Sequence, residues 1–185
     1  MKGNAMAAWK HLRAILLLPG MVLLVIPGTI LWQTGTDTLG LWRSVPSSKA
    51  ILSIIGIICV GVGLVLMVAT IRLFGTVGRG TLAPWDPPQH LVVRGVYRHV
   101  RNPMISGVLL VLLGEALLTA SLPLCYWFLV AGAINAIYIP LLEEPGLVKR
   151  FGDEYGTYKR NLPRWVPRLT PWENGMSPKT VGWTW

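Results

Sequence analysis

Pro103–Leu142 reads PMISGVLLVLLGEALLTASLPLCYWFLVAGAINAIYIPLL, and its only charged side chain is Glu115. Ser121-Leu122-Pro123 divides it into two apolar runs, Pro103–Thr119 and Leu122–Leu142. A helix needs about 20 apolar residues to cross a bilayer, so two slightly short runs joined by an uncharged turn predict a tight membrane hairpin. Outward from it lie two more apolar runs, Leu12–Trp32 and Ala50–Ile71. The expected fold is an all-α integral membrane protein with about four transmembrane helices. A fifth piece arises if Pro19-Gly20 and Pro27-Gly28 make the first run a broken or re-entrant helix. The hairpin is followed by a cytoplasmic C-terminal amphipathic helix. The expected organisation is one membrane domain over residues 1–185. It comprises a two-span region at 1–72, a catalytic region at 91–168 and an interfacial tail at 169–185.

Composition supports that class. Of 185 residues, 52% are hydrophobic and 14% charged, which is remote from an ordinary soluble domain. The net charge of +9 does not imply nucleic acid, because the basic residues flank apolar runs. Membrane lipid, with its anionic headgroups, is the expected partner for that charge. Cys59 and Cys125 lie in or beside apolar runs, without metal spacing or a disulfide framework. Lys2, Lys10 and Arg13 precede the first run. Arg72, Arg79, Arg94, Arg98 and Arg101 separate the second from the third, and seven cations follow the fourth. Only Arg43 and Lys49 fall on the other side. The positive-inside rule then places both termini and the candidate site in the cytoplasm, at the inner membrane if the source is bacterial. The first run is too long for a signal-peptide core and lacks a small-residue cleavage site after it, so it is expected to stay as a span. Pro84-Trp85-Asp86-Pro87-Pro88 predicts an extended crossing of the same face.

The chemistry concentrates on the two flanks of the hairpin. Arg94–Gly107 is RGVYRHVRNPMISG, and beyond the hairpin come Glu143-Glu144 and FGDEYGTYKRNLP, Phe151–Pro163. Closing the hairpin brings the two flanks to one membrane face. Asn102-Pro103 is a helix-start pair, and Arg98 and Arg101 beside a positive helix N-terminus make an anion site. Taken alone, headgroup contact explains the arginines as well. Glu143 and Glu144 stand where a helix C-terminus disfavours acids. They either bridge to Lys149 and Arg150 or present one carboxylate to a bound cation or a ribose hydroxyl. Phe151, Tyr155 and Tyr158 share one helix face, as an interfacial helix or as a lid over a ligand. Tyr97 offers another aromatic wall, and His99 faces either headgroups or the site. Glu115 is expected to be structural, hydrogen-bonded to Asn135. The tail residues Arg164, Trp165, Arg168 and Trp172 suit a lipid–water interface.

GVYRHVRNPMISG, then Glu143-Glu144, then FGDEYGTYKRNLP resembles the isoprenylcysteine carboxyl methyltransferase and phospholipid methyltransferase superfamily in order and spacing, over about Leu91–Pro167. The resemblance implies S-adenosyl-L-methionine as methyl donor and a lipophilic small-molecule acceptor: a prenylcysteine-like carboxylate, a lipid amine or a thiol. It implies Arg101 and Glu144 as the catalytic polar pair. It implies cofactor contacts from Tyr97, His99, Arg101, Asn102, Pro103, Gly107, Glu143, Glu144, Tyr155 and Tyr158, and no metal. Asn102 stands where the pattern often has His, and Ile105 where it has Tyr. Two other classes remain: a nicotinamide-dependent membrane reductase, and a non-catalytic relative of the same fold.

Overall fold

The computed structural model describes residues 19–40, 45–78 and 89–173; among them it is all helical, with no strand. Helix α1 is Met21–Thr34 and α2 is Pro46–Leu73, the latter running on through a wide π turn at Phe74–Gly78. A 3-10 turn, Gly95–Arg98, leads to α3, Pro103–Thr119. Helix α4, Leu122–Tyr138, passes through a second wide turn, Ile139–Glu143, into α5, Glu144–Asn161. The start of the expected first span, Arg43, Arg79, Pro84–Pro88 and the tail beyond Glu173 lie outside the described residues.

Two helices are long and apolar enough to cross a membrane, Lys49–Gly78 and Leu122–Asn161. The second exceeds the expected run because the chain stays helical past its apolar part. Its apolar stretch ends at Leu142, and 21 residues at about 1.5 Å each give roughly 32 Å, close to a bilayer core. The described part of α1, and α3, are shorter.

The prolines shape α1 and α4 as the residue chemistry requires. Pro27 has no N–H to give to the turn before it. The helix widens over Met21–Val25, and the Ile26 N–H donates to Met21 O, five residues back. That leaves the Val22 carbonyl without a partner in its own helix, and the Trp127 indole of α4 donates to it at 3.1 Å. Pro140 sits in the same kind of turn, closed by the Glu144 N–H on Ile139 O.

Helices α2 and α3 make the most extensive helix–helix contact. Four glycines account for it. Gly56 and Gly63 on α2 are seven residues apart, as are Gly107 and Gly114 on α3, and the antiparallel helices pair 63 with 107 and 56 with 114. A Cβ on Gly63 would lie 2.6 Å from Gly107 O, and one on Gly114 would lie 2.7 Å from Gly56 O. Without side chains the two backbones touch, which is how helices associate where water supplies no driving force. At the far end, the α3–α4 turn passes through Ala120 in the left-handed region (φ 48°). Asp37 N–H on Thr119 O (2.7 Å) and Leu122 N–H on Thr38 Oγ1 (2.7 Å) seal that turn.

Two apolar clusters result. Leu23, Met67, Val108, Val111, Leu112 and Ala131 form the core between the long helices. Val92, Tyr97, Tyr155, Tyr158 and Leu162 form a second core at the opposite end from the α3–α4 turn, beneath the flanks of the hairpin.

Candidate functional site

The second core carries a buried ion cluster at its edge. Glu144 opens α5 just after the wide turn and is 1% exposed. Arg101 Nη1 donates to Glu144 Oε1 at 2.9 Å, Arg164 Nε donates to the same oxygen at 2.9 Å, and Arg164 Nη2 reaches Oε2 at 3.2 Å. Lys159 Nζ lies 2.7 Å from Oε2. One carboxylate thus holds three cations from three segments: the loop before α3, the last turn of α5 and the chain beyond it. Burial alone would raise the Glu144 pKa. The hydrogen bonds from Arg164 and Lys159 and the Arg101 charge outweigh burial and hold it below its ordinary 4.5.

The cluster corrects the expected bridges from Glu143 and Glu144 to Lys149 and Arg150. The cations that reach Glu144 are Arg101, Lys159 and Arg164. An ion pair on a helix surface needs only nearby charge, whereas a 1%-exposed carboxylate needs its lone pairs filled. The Arg101 side chain is itself 9% exposed, and its Nε–H has no hydrogen-bond partner among the described residues.

The loop before α3 is held by a strap formed from the residues after α5. The Arg101 N–H donates to Pro163 O (3.0 Å) and the Arg168 N–H to His99 O (2.9 Å). The Trp172 N–H donates to Arg98 O (2.8 Å), and Arg98 Nε returns a bond to Trp172 O (3.0 Å). His99 Nδ1 lies 2.7 Å from Arg168 O, which fixes that nitrogen as a donor. Of the tail residues expected at the interface, Arg164 bonds to Glu144, Arg168 donates to Asn161 O and the backbone of Trp172 is tied to Arg98, so each also binds protein. Trp172 packs on Tyr158 with ring centroids 6.0 Å apart.

The aromatic face of α5 is where its spacing put it, but it is core and not an open lid. Tyr155 and Tyr158 are buried, and the Tyr158 hydroxyl donates to Tyr97 O at 3.0 Å. Tyr97 stacks on Phe74 of the wide turn after α2, at 5.6 Å and 21°. Gly152, in a conformation (φ 54°, ψ −133°) open to glycine and hostile to other residues, breaks α5 between Phe151 and Tyr155. Burial raises all three hydroxyl pKa values. Tyr155, with Glu144's charge adding to burial, is pushed up to about 12.

A family model for phospholipid methyltransferase matches residues 51–154, more than half of the chain. The chain belongs to the phospholipid methyltransferase family. That family is one of membrane methyltransferases, so methyl transfer is the chemistry against which the geometry is read. Comparison with curated proteins and with solved structures returned no match.

Set against the family, the structure brings together Tyr97, Arg101, Glu143, Glu144, Tyr155 and Tyr158, and separates others. Asn102 occupies the cap position of α3 and its carbonyl accepts from Ser106 N and Oγ, while its side chain makes no capping bond. Pro103 is buried at the first turn. Gly107 shapes the α2–α3 crossing and not a pocket, because the space of its missing side chain is filled by Gly63 and Met67. His99 belongs to the strap. Glu115 does not pair with Asn135, whose amide turns to Ala131 O of its own helix; Glu115 Oε2 has no hydrogen-bond partner among the described residues. Lys159 and Arg164 were missed as site residues. Cations that follow the last apolar run are ordinarily given to lipid headgroups, and that reading hid them.

Proposed function

We propose that this chain is an integral-membrane, S-adenosylmethionine-dependent methyltransferase acting on a lipophilic small molecule at the cytoplasmic lipid–water boundary. The observation that carries this reading is the Glu144 carboxylate, which ties Arg101 from one flank of the hairpin to Lys159 and Arg164 from the other. Family membership supplies the chemistry, and the cluster supplies a place for it. Four spans serve this reading: α2 and α4 cross fully. Seventeen residues in α3, about 26 Å long, cross with Arg101 and Ser121 at the two edges.

The residues suit such a donor. When bound, it supplies an activated methyl group on a cationic sulfur, beside an amino-acid carboxylate. Arg101 leaves a buried Nε–H to meet a carboxylate. The three cations outnumber Glu144, so the site favours an anionic group. The aromatic core of Tyr97, Tyr155 and Tyr158 excludes water behind it. The protein's task is to align donor and acceptor.

The test is calorimetric titration of S-adenosylmethionine and S-adenosylhomocysteine into purified protein, with Arg101→Ala and Glu144→Ala alongside, followed by labelled-methyl transfer into lipid extract. Saturable micromolar binding that both variants lose is the expected result. A folded wild type that binds neither compound, in lipid as in detergent, overturns the reading.

A further inference from the structure

We infer that Val166 and Leu169, on the strap after α5, insert into the lipid leaflet on the α5 side of the membrane and anchor the strap there. The inference rests on α3 being a span that starts at Pro103, and it is independent of methyl transfer.

The residue types of the strap suit a lipid surface. Pro163–Trp172, PRWVPRLTPW, holds three prolines, two arginines and no acid. Each proline fixes its own φ, so the segment has little backbone freedom left to lose on binding. Glu173, the acid that follows, is turned to Arg98 at 3.7 Å.

The strap is tied down on both sides of Leu169. The Arg168 N–H sits on His99 O at 2.9 Å, and His99 Nδ1 lies 2.7 Å from Arg168 O. Trp172 is joined to Arg98 through its N–H at 2.8 Å and its carbonyl at 3.0 Å. Between those ties Leu169 is 98% exposed, and Val166 before them is 75% exposed. A single bare leucine means little by itself. This one has meaning because of where the ties hold it.

That place is the membrane edge. The Arg101 N–H donates to Pro163 O at 3.0 Å, two residues before α3 begins at Pro103. Val166 is three residues beyond Pro163, within about 10 Å of that bond even at full extension. His99, the tie beside Leu169, precedes Pro103 by four residues, a reach of at most about 14 Å. Both side chains therefore stand close to the headgroup–acyl boundary, which interfacial segments enter by about 5–10 Å.

Charge fits the same occupant. Arg168 gives one N–H to Asn161 O and is exposed, so its guanidinium keeps donors for lipid phosphate. A second copy of the chain is a poorer occupant, because two side chains fall far short of the roughly 800 Å² per partner that a stable interface covers. The consequence reaches the ion cluster, since the strap also carries Arg164 to Glu144. Lipid that holds Val166 and Leu169 helps to hold Arg164 on that carboxylate.

The experiment uses the full chain with Cys59→Ala and Cys125→Ala, in nanodiscs of phosphatidylcholine with about a third phosphatidylglycerol. A nitroxide is attached in turn at Leu169→Cys, at Asp153→Cys as an exposed reference on α5, and at Ile57→Cys as the reference within α2. At position 169 the expected accessibility to a nickel chelate is about threefold below that at 153, with accessibility to oxygen above it. In a second measurement without a label, Val166→Ser together with Leu169→Ser speeds deuterium exchange of the strap amides about tenfold in the nanodisc, whereas Leu169→Ile alone keeps the wild-type rate. A label at 169 as open to nickel as that at 153 overturns the inference, and so does one shielded from nickel and oxygen alike, as beneath a second copy. Exchange unchanged by the double variant overturns it too. A label at position 57 that is itself open to nickel removes the membrane reading of the helices, and this inference with it.

Discussion

Glu144 shows how much one residue can hold. Its charge is the common partner of Arg101, Lys159 and Arg164, and Arg101 is buried with it. Removing one member of a buried pair typically costs about 3–5 kcal/mol, because the other charge is left stranded. Glu144→Gln should therefore lower thermal stability more than Lys159→Ala, whose side chain is 43% exposed and rehydrates freely; scanning fluorimetry of the purified variants checks the order. The acid limb of stability belongs to the same residue. Its folded-state pKa lies below the ordinary 4.5, so its contribution is complete above that pH and is lost as pH falls through the folded value. Glu143, whose pKa is raised, runs the other way and withdraws stability as pH rises above 4.5. Wild type should thus unfold more readily below about pH 4.5, and Glu144→Gln should flatten that limb. The Arg101–Glu144 partnership was legible in the chain, because a hairpin must juxtapose its own flanks. Lys159 and Arg164 were not, because tail cations near a membrane are normally spent on lipid.

At the scale of elements, the sequence announced apolar runs but not what joined them. Gly56, Gly63, Gly107 and Gly114 are scattered in two separate runs, and only the antiparallel register makes them pairs. The prediction is selective. Gly63→Ala places a methyl 2.6 Å from Gly107 O and must push α2 from α3, whereas Gly61→Ala meets nothing within 4 Å. Overpacking of this kind costs about 1–3 kcal/mol. A marked loss of melting temperature in Gly63→Ala beside an unchanged Gly61→Ala is expected, and equal values would refute the crossing. Helix lengths were harder to read. Leu122–Asn161 continues past its apolar part because Pro140 and Pro145 fall where a wide turn and a helix start tolerate them. Nothing in hydropathy reveals that the chain remains helical there. Asn102 and Pro103 start α3 as their pairing predicts, although the Asn102 side chain adds no capping bond.

At the scale of the whole molecule, an apolar surface stays open among the described residues. Ile54, Ile57, Val62 and Val65 of α2, and Leu129, Ile134 and Ile137 of α4, are large, apolar and exposed. Such an area is a liability in water and ordinary in lipid. Spin labels at positions 57 and 134 should be relaxed by oxygen and shielded from a water-soluble nickel chelate in liposomes. The reverse would remove these faces from the membrane. The strap after α5 has a consequence for how the protein comes into being. Arg164, Arg168 and Trp172 are translated after every helix described here, yet they complete the Glu144 cluster and clamp the loop before α3. During synthesis the helices are all made while Glu144 has at most Arg101 and Lys159 for company. Assembly of the site therefore waits until Trp172 has been made, and a ribosome that stops short of Pro163 releases a chain with an unfinished centre.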